Sequence, residues 1–263
     1  MRSPAATLQP YSILVRVGLA LLLHLCFCSS PLLAQALDVP RLYQRASASV
    51  GFVTAMDAYD QALGFGSGFL IGPTAFVTNY HVIEGAAWVT VKLGDAEPVR
   101  VDAAFGVAPE RDLAILQLPE AGPPLQFSLN EPTIGERVVA IGNPLGMEAT
   151  VSEGIVSGLR SLDDMDFYQI TSPISPGSSG GPVLNRLGQV IGVATGTYEG
   201  GQNLNFAVPV AAVDELWKAS RGKTVMLETL SVSPFESLRA LLRQALLANP
   251  FMSALDWLLN RLW

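Results

Sequence analysis

Ser175-Pro176-Gly177-Ser178-Ser179-Gly180-Gly181-Pro182 sets two adjacent hydroxyls in a run that three glycines and two prolines keep out of regular helix. A serine that attacks a carbonyl needs its hydroxyl exposed, with backbone N–H groups aimed at the oxygen that becomes negative. A tight glycine-rich turn allows the backbone to approach a substrate that closely. An ordinary surface turn has the same composition, so the stretch decides nothing alone. Of the two hydroxyls, Ser179 is the candidate nucleophile, because two glycines and a proline follow it directly.

A serine at neutral pH needs a base. His81 lies in Thr78-Asn79-Tyr80-His81-Val82-Ile83-Glu84-Gly85, directly after the apolar run Ala75-Phe76-Val77, where a turn presents it to a cleft. A lone histidine at a strand end also occurs as a structural residue. The base in turn needs a carboxylate to fix its tautomer and stabilise the imidazolium. Asp112 stands immediately before the apolar run Leu113 to Leu118, which would hold it rigidly. Asp95 and Asp102 are rivals, though in turn-like or exposed-looking stretches, and a charge before a strand is commonly just solvated. The weight lies in the combination. The three segments follow in the order His, Asp, Ser, with separations of 31 and 67 residues.

Around these segments the chain reads as short strands between turns. Gly68 to Ile71, Ala75 to Thr78, Ala87 to Leu93, Leu113 to Leu118, Arg137 to Ile141, Gly154 to Leu159 and Gln189 to Ala194 are apolar or alternating runs. Gly72-Pro73 and Gly94-Asp95 are turn signals between them. With no helical periodicity between strands, the fold expected is all-β, an antiparallel barrel or sandwich. Pro119 to Pro124 looks like a linker between two halves. After Pro209 the character changes. Val210 to Lys218 suits a short closing helix, and Phe235, Leu238, Leu242, Ala245 and Leu246 recur at helical spacing. A second such stripe after Pro250 comprises Phe251, Leu255, Leu258, Leu259 and Leu262.

The first 36 residues read as a cleaved export signal, with an uncleaved membrane anchor as the alternative. Arg2 and Arg16 precede an apolar stretch of 11 residues, Val17 to Phe27, which is short for a bilayer span. Ala34-Gln35-Ala36 has the small-residue pattern of a cleavage site. Removal takes Arg2 and Arg16 from the 16 basic residues, so 14 face 23 acidic ones and the formal charge is −9. An acidic surface without a basic stripe argues against nucleic acid as a partner. Cys26, Cys28 and His24 leave with the signal. The remainder has no disulfide framework and no cysteine nucleophile, and with His81 its only histidine it has no multi-histidine zinc site. No metal or cofactor is expected. An exported protein, periplasmic or secreted, fits this composition.

The ordered segments resemble those of the HtrA/Deg group of trypsin-like proteases. Gly66-Ser67-Gly68-Phe69-Leu70-Ile71 with Val77-Thr78-Asn79-Tyr80-His81-Val82 is similar to that family's histidine region. Asp112-Leu113-Ala114-Ile115-Leu116 resembles its aspartate region, and Ser175 to Pro182 with Gly188 to Gly192 its nucleophile region. Ala140 to Gly146 and Thr150 to Ser157 resemble the opening of its second barrel. The likeness spans about residues 47–213. It implies a chymotrypsin-like double barrel, two barrels of six strands, with the active site in the cleft between them. The barrels would fill about 47–120 and 125–213, within a protease domain 37–223 followed by a helical extension 224–263.

The resemblance also implies roles. His81 takes the Ser179 proton, Asp112 orients His81, and the Gly177-Ser178-Ser179 turn supplies the oxyanion hole through the N–H groups of Gly177 and Ser179. The primary pocket is expected from Ser172, Pro173, Ile174 and Ser175 with Thr195, Gly196 and Thr197. No acid occurs between Tyr168 and Ser178, so cleavage after small or medium apolar residues is expected, in unfolded or misfolded polypeptides. About 40 residues follow Thr224, too few for a peptide-binding PDZ domain. The segment Ser161 to Phe167, with Asp163, Asp164 and Asp166, reads as a mobile acidic loop, and residues 234–263 as a surface for self-association or membrane contact. A protease fold that binds peptides without cutting them, or only after a partner activates it, is the competing reading.

Overall fold

The computed structural model describes residues 37–119, 122–143, 150–162, 165–197 and 204–231. The signal segment, Asp163, Asp164 and the apolar stripes beyond Pro234 lie outside the described residues.

The described chain opens with a helix, α1 (Val39–Ala46), which sequence patterning had not indicated. Its start was nonetheless written in the sequence: the Asp38 side chain accepts the Arg41 N–H at 3.1 Å, and Pro40 falls in the first turn. Strands then follow: β1 (Val50–Met56), β2 (Ala62–Leu70) and β3 (Ala75–Thr78). The one-turn helix α2 (Tyr80–Ile83) separates these from β4 (Trp88–Leu93), β5 (Val99–Val101), β6 (Ala103–Ala108) and β7 (Leu113–Gln117). All pair antiparallel, in the order β6-β7-β3-β2-β1-β4-β5. Alternation along β1 and β4 sends Val53, Ala55, Val89 and Val91 inward to meet Leu70, Phe76 and Leu116. Phe76 and Leu116 are fully buried, each worth about 1.5–3 kcal/mol of apolar transfer.

The second half comprises β8 (Arg137–Gly142), β9 (Thr150–Leu162), β10 (Met165–Ile170), β11 (Pro182–Leu184), β12 (Val190–Thr197) and β13 (Asn205–Pro209). These six close into a barrel, in the order β10-β13-β12-β11-β8-β9. Val138, Val156, Ile170, Val183, Ile191 and Ala207 fill it. The segment between the halves runs along both. Leu125 N–H donates to Leu70 O at 2.9 Å, and Val190 N–H donates to Gln126 O at 2.8 Å.

Two expectations are corrected here. The first sheet has eight strands rather than six, and the fold continues past residue 223. After helix α3 (Val210–Ser220) the chain returns as β14 (Val225–Met226), pairing with β6, and a further short helix, α4 (Leu227–Ser231), buries Leu227 in the first core. Leu227, fully buried, and Leu230, partly buried against the same core, anchor this return, too few to show as a pattern. Ser161 to Phe167 is not a loop throughout: Met165 pairs with Leu162, Asp166 with Ser161 and Phe167 with Arg160, so β9 and β10 form a hairpin.

Candidate active site

His81 sits at the second position of α2, directly beyond the fully buried strand β3. Val82 and Ile83 bury on the core side, which turns the imidazole outward, with its side chain 46% exposed. Asp112 follows the 3-10 turn Pro109–Arg111 in a left-handed conformation, φ 52°, and leads into the buried strand β7. Asp tolerates this region better than most side chains. The carboxylate takes the His81 N–H on Oδ1 at 2.9 Å, and His81 Nδ1 lies 2.8 Å from Oδ2 and 3.0 Å from Oδ1. An ionised carboxylate only accepts, so in the neutral imidazole the proton sits on Nδ1 and the lone pair on Nε2. The Thr195 hydroxyl donates to Oδ2 at 2.5 Å. Of the two rivals, Asp102 is bound to Arg100 at 2.8 Å, which also lies over the Trp88 ring, and Asp95 is exposed in the turn after β4.

Ser179 lies in a turn fixed by both halves. Its carbonyl accepts the Ser67 N–H of β2 at 2.7 Å, while Gly180 N–H donates to Ala194 O of β12 at 2.8 Å. Gly180 has φ 89°, and a Cβ there would stand 2.0 Å from Ser67 O, so no other residue fits. Gly177, at φ 94°, is also in left-handed backbone, and its carbonyl accepts the Ser67 hydroxyl at 2.6 Å. That hydroxyl in turn accepts the Asn143 N–H at 2.8 Å. Among the described hydrogen bonds, the N–H groups of Gly177 and Ser179 have no acceptor. Ser178 N–H is different: it donates to Ser175 O at 2.8 Å. Of the three N–H groups of the expected oxyanion turn, that of Ser178 is therefore the one already engaged. The Ser179 hydroxyl donates to Thr195 O at 2.9 Å. Thr195 therefore touches both ends of the site, accepting from Ser179 on its carbonyl and donating to Asp112 from its side chain.

This arrangement can be set beside known proteins. Residues 66–193 match the trypsin-like peptidase domain. A crystal structure of Deg5 is 33% identical, with a TM-score of 0.58, and the match covers 67% of this chain and 90% of that one. The chain belongs to the HtrA/Deg group of trypsin-like serine peptidases. The active form of the Rv3671c protease from M. tuberculosis superposes with a TM-score of 0.66 at 28% identity, covering 72% of this chain and 87% of that one. A probable periplasmic serine endoprotease, DegP-like, from Chlamydia pneumoniae is 38% identical over 155 residues, which is 55% of this chain and 32% of that protein. The chain thus spans about a third of the length of the first curated relatives it matches. Its all-β, chymotrypsin-like double-barrel fold is the one these relatives share.

In this HtrA/Deg-type chain the expected pocket residues divide. Pro173, Ile174 and Ser175 line a cavity of about 430 Å³ together with Ser178, Ala194 and residues of β8 and β9. Ser172 does not line it. It is 0% exposed beneath Gly154, its carbonyl accepts the Asn205 amide at 2.8 Å, and its hydroxyl finds no partner among the described residues. Thr195 and Gly196 are half-buried on β12 outside this cavity, and Thr197 ends that strand. An acid does reach the cavity: Glu153 of β9, which lies outside the stretch from Tyr168 to Ser178 and is paired by Arg137. A second cavity of about 200 Å³ lies behind the Asp112 turn, between Phe167, Pro209 and the Arg111–Glu215 ion pair. That pair holds the Arg111 guanidinium protonated above its ordinary range, chiefly through the hydrogen bond to Glu215.

Proposed function

We propose that the chain is a serine endopeptidase that cleaves unfolded polypeptides through an acyl-enzyme on Ser179. The observation that carries the reading is Thr195. It joins the His81–Asp112 pair to the nucleophile turn, beside two N–H groups that have no acceptor among the described residues. In the reaction the Ser179 hydroxyl rotates from Thr195 O to His81 Nε2 and gives up its proton as Oγ bonds to the substrate carbonyl carbon. The resulting oxyanion is held by the N–H groups of Gly177 and Ser179, and Asp112 stabilises the imidazolium. His81 then protonates the leaving amine as the C–N bond breaks. Water, deprotonated by the same imidazole, releases the acyl group and restores Ser179.

Pro173 and Ile174 favour a small or medium apolar side chain before the cleaved bond. The neutral pairing of Glu153 with Arg137 leaves that cavity without a free charge for a basic side chain. Export through residues 1–36 places the activity in a periplasm or outside the cell. Self-association or a membrane-surface contact would fall to residues 234–263.

A second reading, a peptide binder that cuts only after activation, is favoured by the Ser179–Thr195 hydrogen bond, since the hydroxyl is turned from the base. One experiment decides between them. Mature chain and Ser179→Ala are incubated with unfolded casein, before and after mild heating. Cleavage that falls on the order of 10⁶-fold in the variant establishes the triad. Cleavage seen only after heating supports activation. Tight casein binding by both proteins without cleavage makes the chain a binder.

A further inference from the structure

We propose that Asn79 is a positioning residue for the reaction, fixing the aim of Asp112 at His81; the inference rests on the triad reading above. Asn79 precedes the one-turn helix that carries His81, at a position where asparagine ordinarily caps the helix with its side-chain oxygen. Here the side chain makes no cap. Its Nδ2 reaches instead across 33 residues of sequence to donate to the Asp112 carbonyl oxygen at 2.8 Å. Its Oδ1 is buried without a partner among the described residues, and the residue is 0% exposed.

Burying an amide with an unsatisfied oxygen is unfavourable. A leucine of similar shape would fill the same space without that cost. What leucine lacks is the donor. The Asp112 carbonyl needs one for a specific reason: it belongs to a residue in left-handed backbone, a conformation that persists only when its surroundings over-determine it. The Asp112 N–H is held by Pro109 O at 3.1 Å, its carboxylate by His81 and Thr195, and its carbonyl by Asn79. The carboxylate contacts depend on the direction in which this backbone points the side chain. Asn79 therefore connects the chain segment of the base directly to the backbone of the acid, two residues before one and at the other.

The test compares wild type, Asn79→Leu and Asn79→Ala on a chromogenic peptide ester, with turnover expressed per active site titrated by a fluorophosphonate. Titration removes any difference in folded fraction, so partial misfolding of a variant does not obscure the result. A kcat about 10–100-fold lower with KM within twofold is expected in both variants, the scale of a small misplacement of a catalytic group. A downfield His81 Nδ1 proton, expected in the NMR spectrum of wild type from its bond to Asp112, should also move upfield or vanish in the variants. A kcat per titrated site within threefold of wild type in Asn79→Leu overturns the proposal. So does a reduced kcat with the Nδ1 resonance unmoved, since Asn79 would then act by another route. If wild type itself neither titrates nor turns over, it is the peptidase reading that fails.

Discussion

Thr195 illustrates what a single hydroxyl contributes at the residue scale. It gives Asp112 Oδ2 a hydrogen bond that His81 does not supply, and a bond to an ionised group is worth about 1.5–3 kcal/mol. Thr195→Val removes the donor at nearly constant shape. Steady-state hydrolysis of a peptide ester should show kcat/KM reduced about 10–100-fold, with Thr195→Ser close to wild type. The residues proposed to carry the chemistry could be picked out in sequence because each lies in a contiguous motif: a histidine after an apolar strand, an aspartate before one, a serine among glycines. Thr195, Ser67 and Asn79 were not legible in these roles. Thr195 meets its partner across 83 residues and Ser67 across 110, and a hydroxyl within a strand has no local signature of such a contact.

At the scale of elements, the nucleophile turn is wedged between β2 and β12, and Gly180 is the point of closest approach. A methyl group there would meet Ser67 O at 2.0 Å and Thr78 Oγ1 at 2.5 Å, on backbone already in the left-handed region. Gly180→Ala must push β2 away from the turn or reverse that backbone. Either change misplaces Ser179 and costs on the order of 1–3 kcal/mol or more. Thermal denaturation should show a lowered Tm, and burst titration a loss of reactive serine greater than the loss of folded protein. The strands themselves were readable from alternation and turn residues. The return of β14 to the first sheet was not, since two paired residues and one buried leucine leave no periodicity. The β9–β10 hairpin was mistaken for a loop because its acids mask the pairing: Asp166 is exposed while its backbone pairs with Ser161.

For the molecule as a whole, stability should respond to alkali through two tyrosines. Burial is the larger cause that raises the phenol of Tyr80, with Glu84 adding to it. Burial likewise leads for Tyr168, with Glu131 and Asp166 adding. A phenol whose folded pKa lies above its unfolded value stabilises the fold fully below about pH 10, and that stability is lost as pH rises through the folded value. Urea midpoints should therefore be flat through neutrality and fall above about pH 10, less steeply in Tyr168→Phe. Midpoints that fall equally in both proteins would exclude Tyr168 as a source.

The placement of His81 and Asp112 in the first barrel, with Ser179 and Thr195 in the second, has a further consequence. If the proposed triad is the working site, the chain cut between Pro119 and Gly122 and supplied as two pieces should behave as a coincidence detector: neither piece alone would hold the site, and peptide hydrolysis would report their reunion.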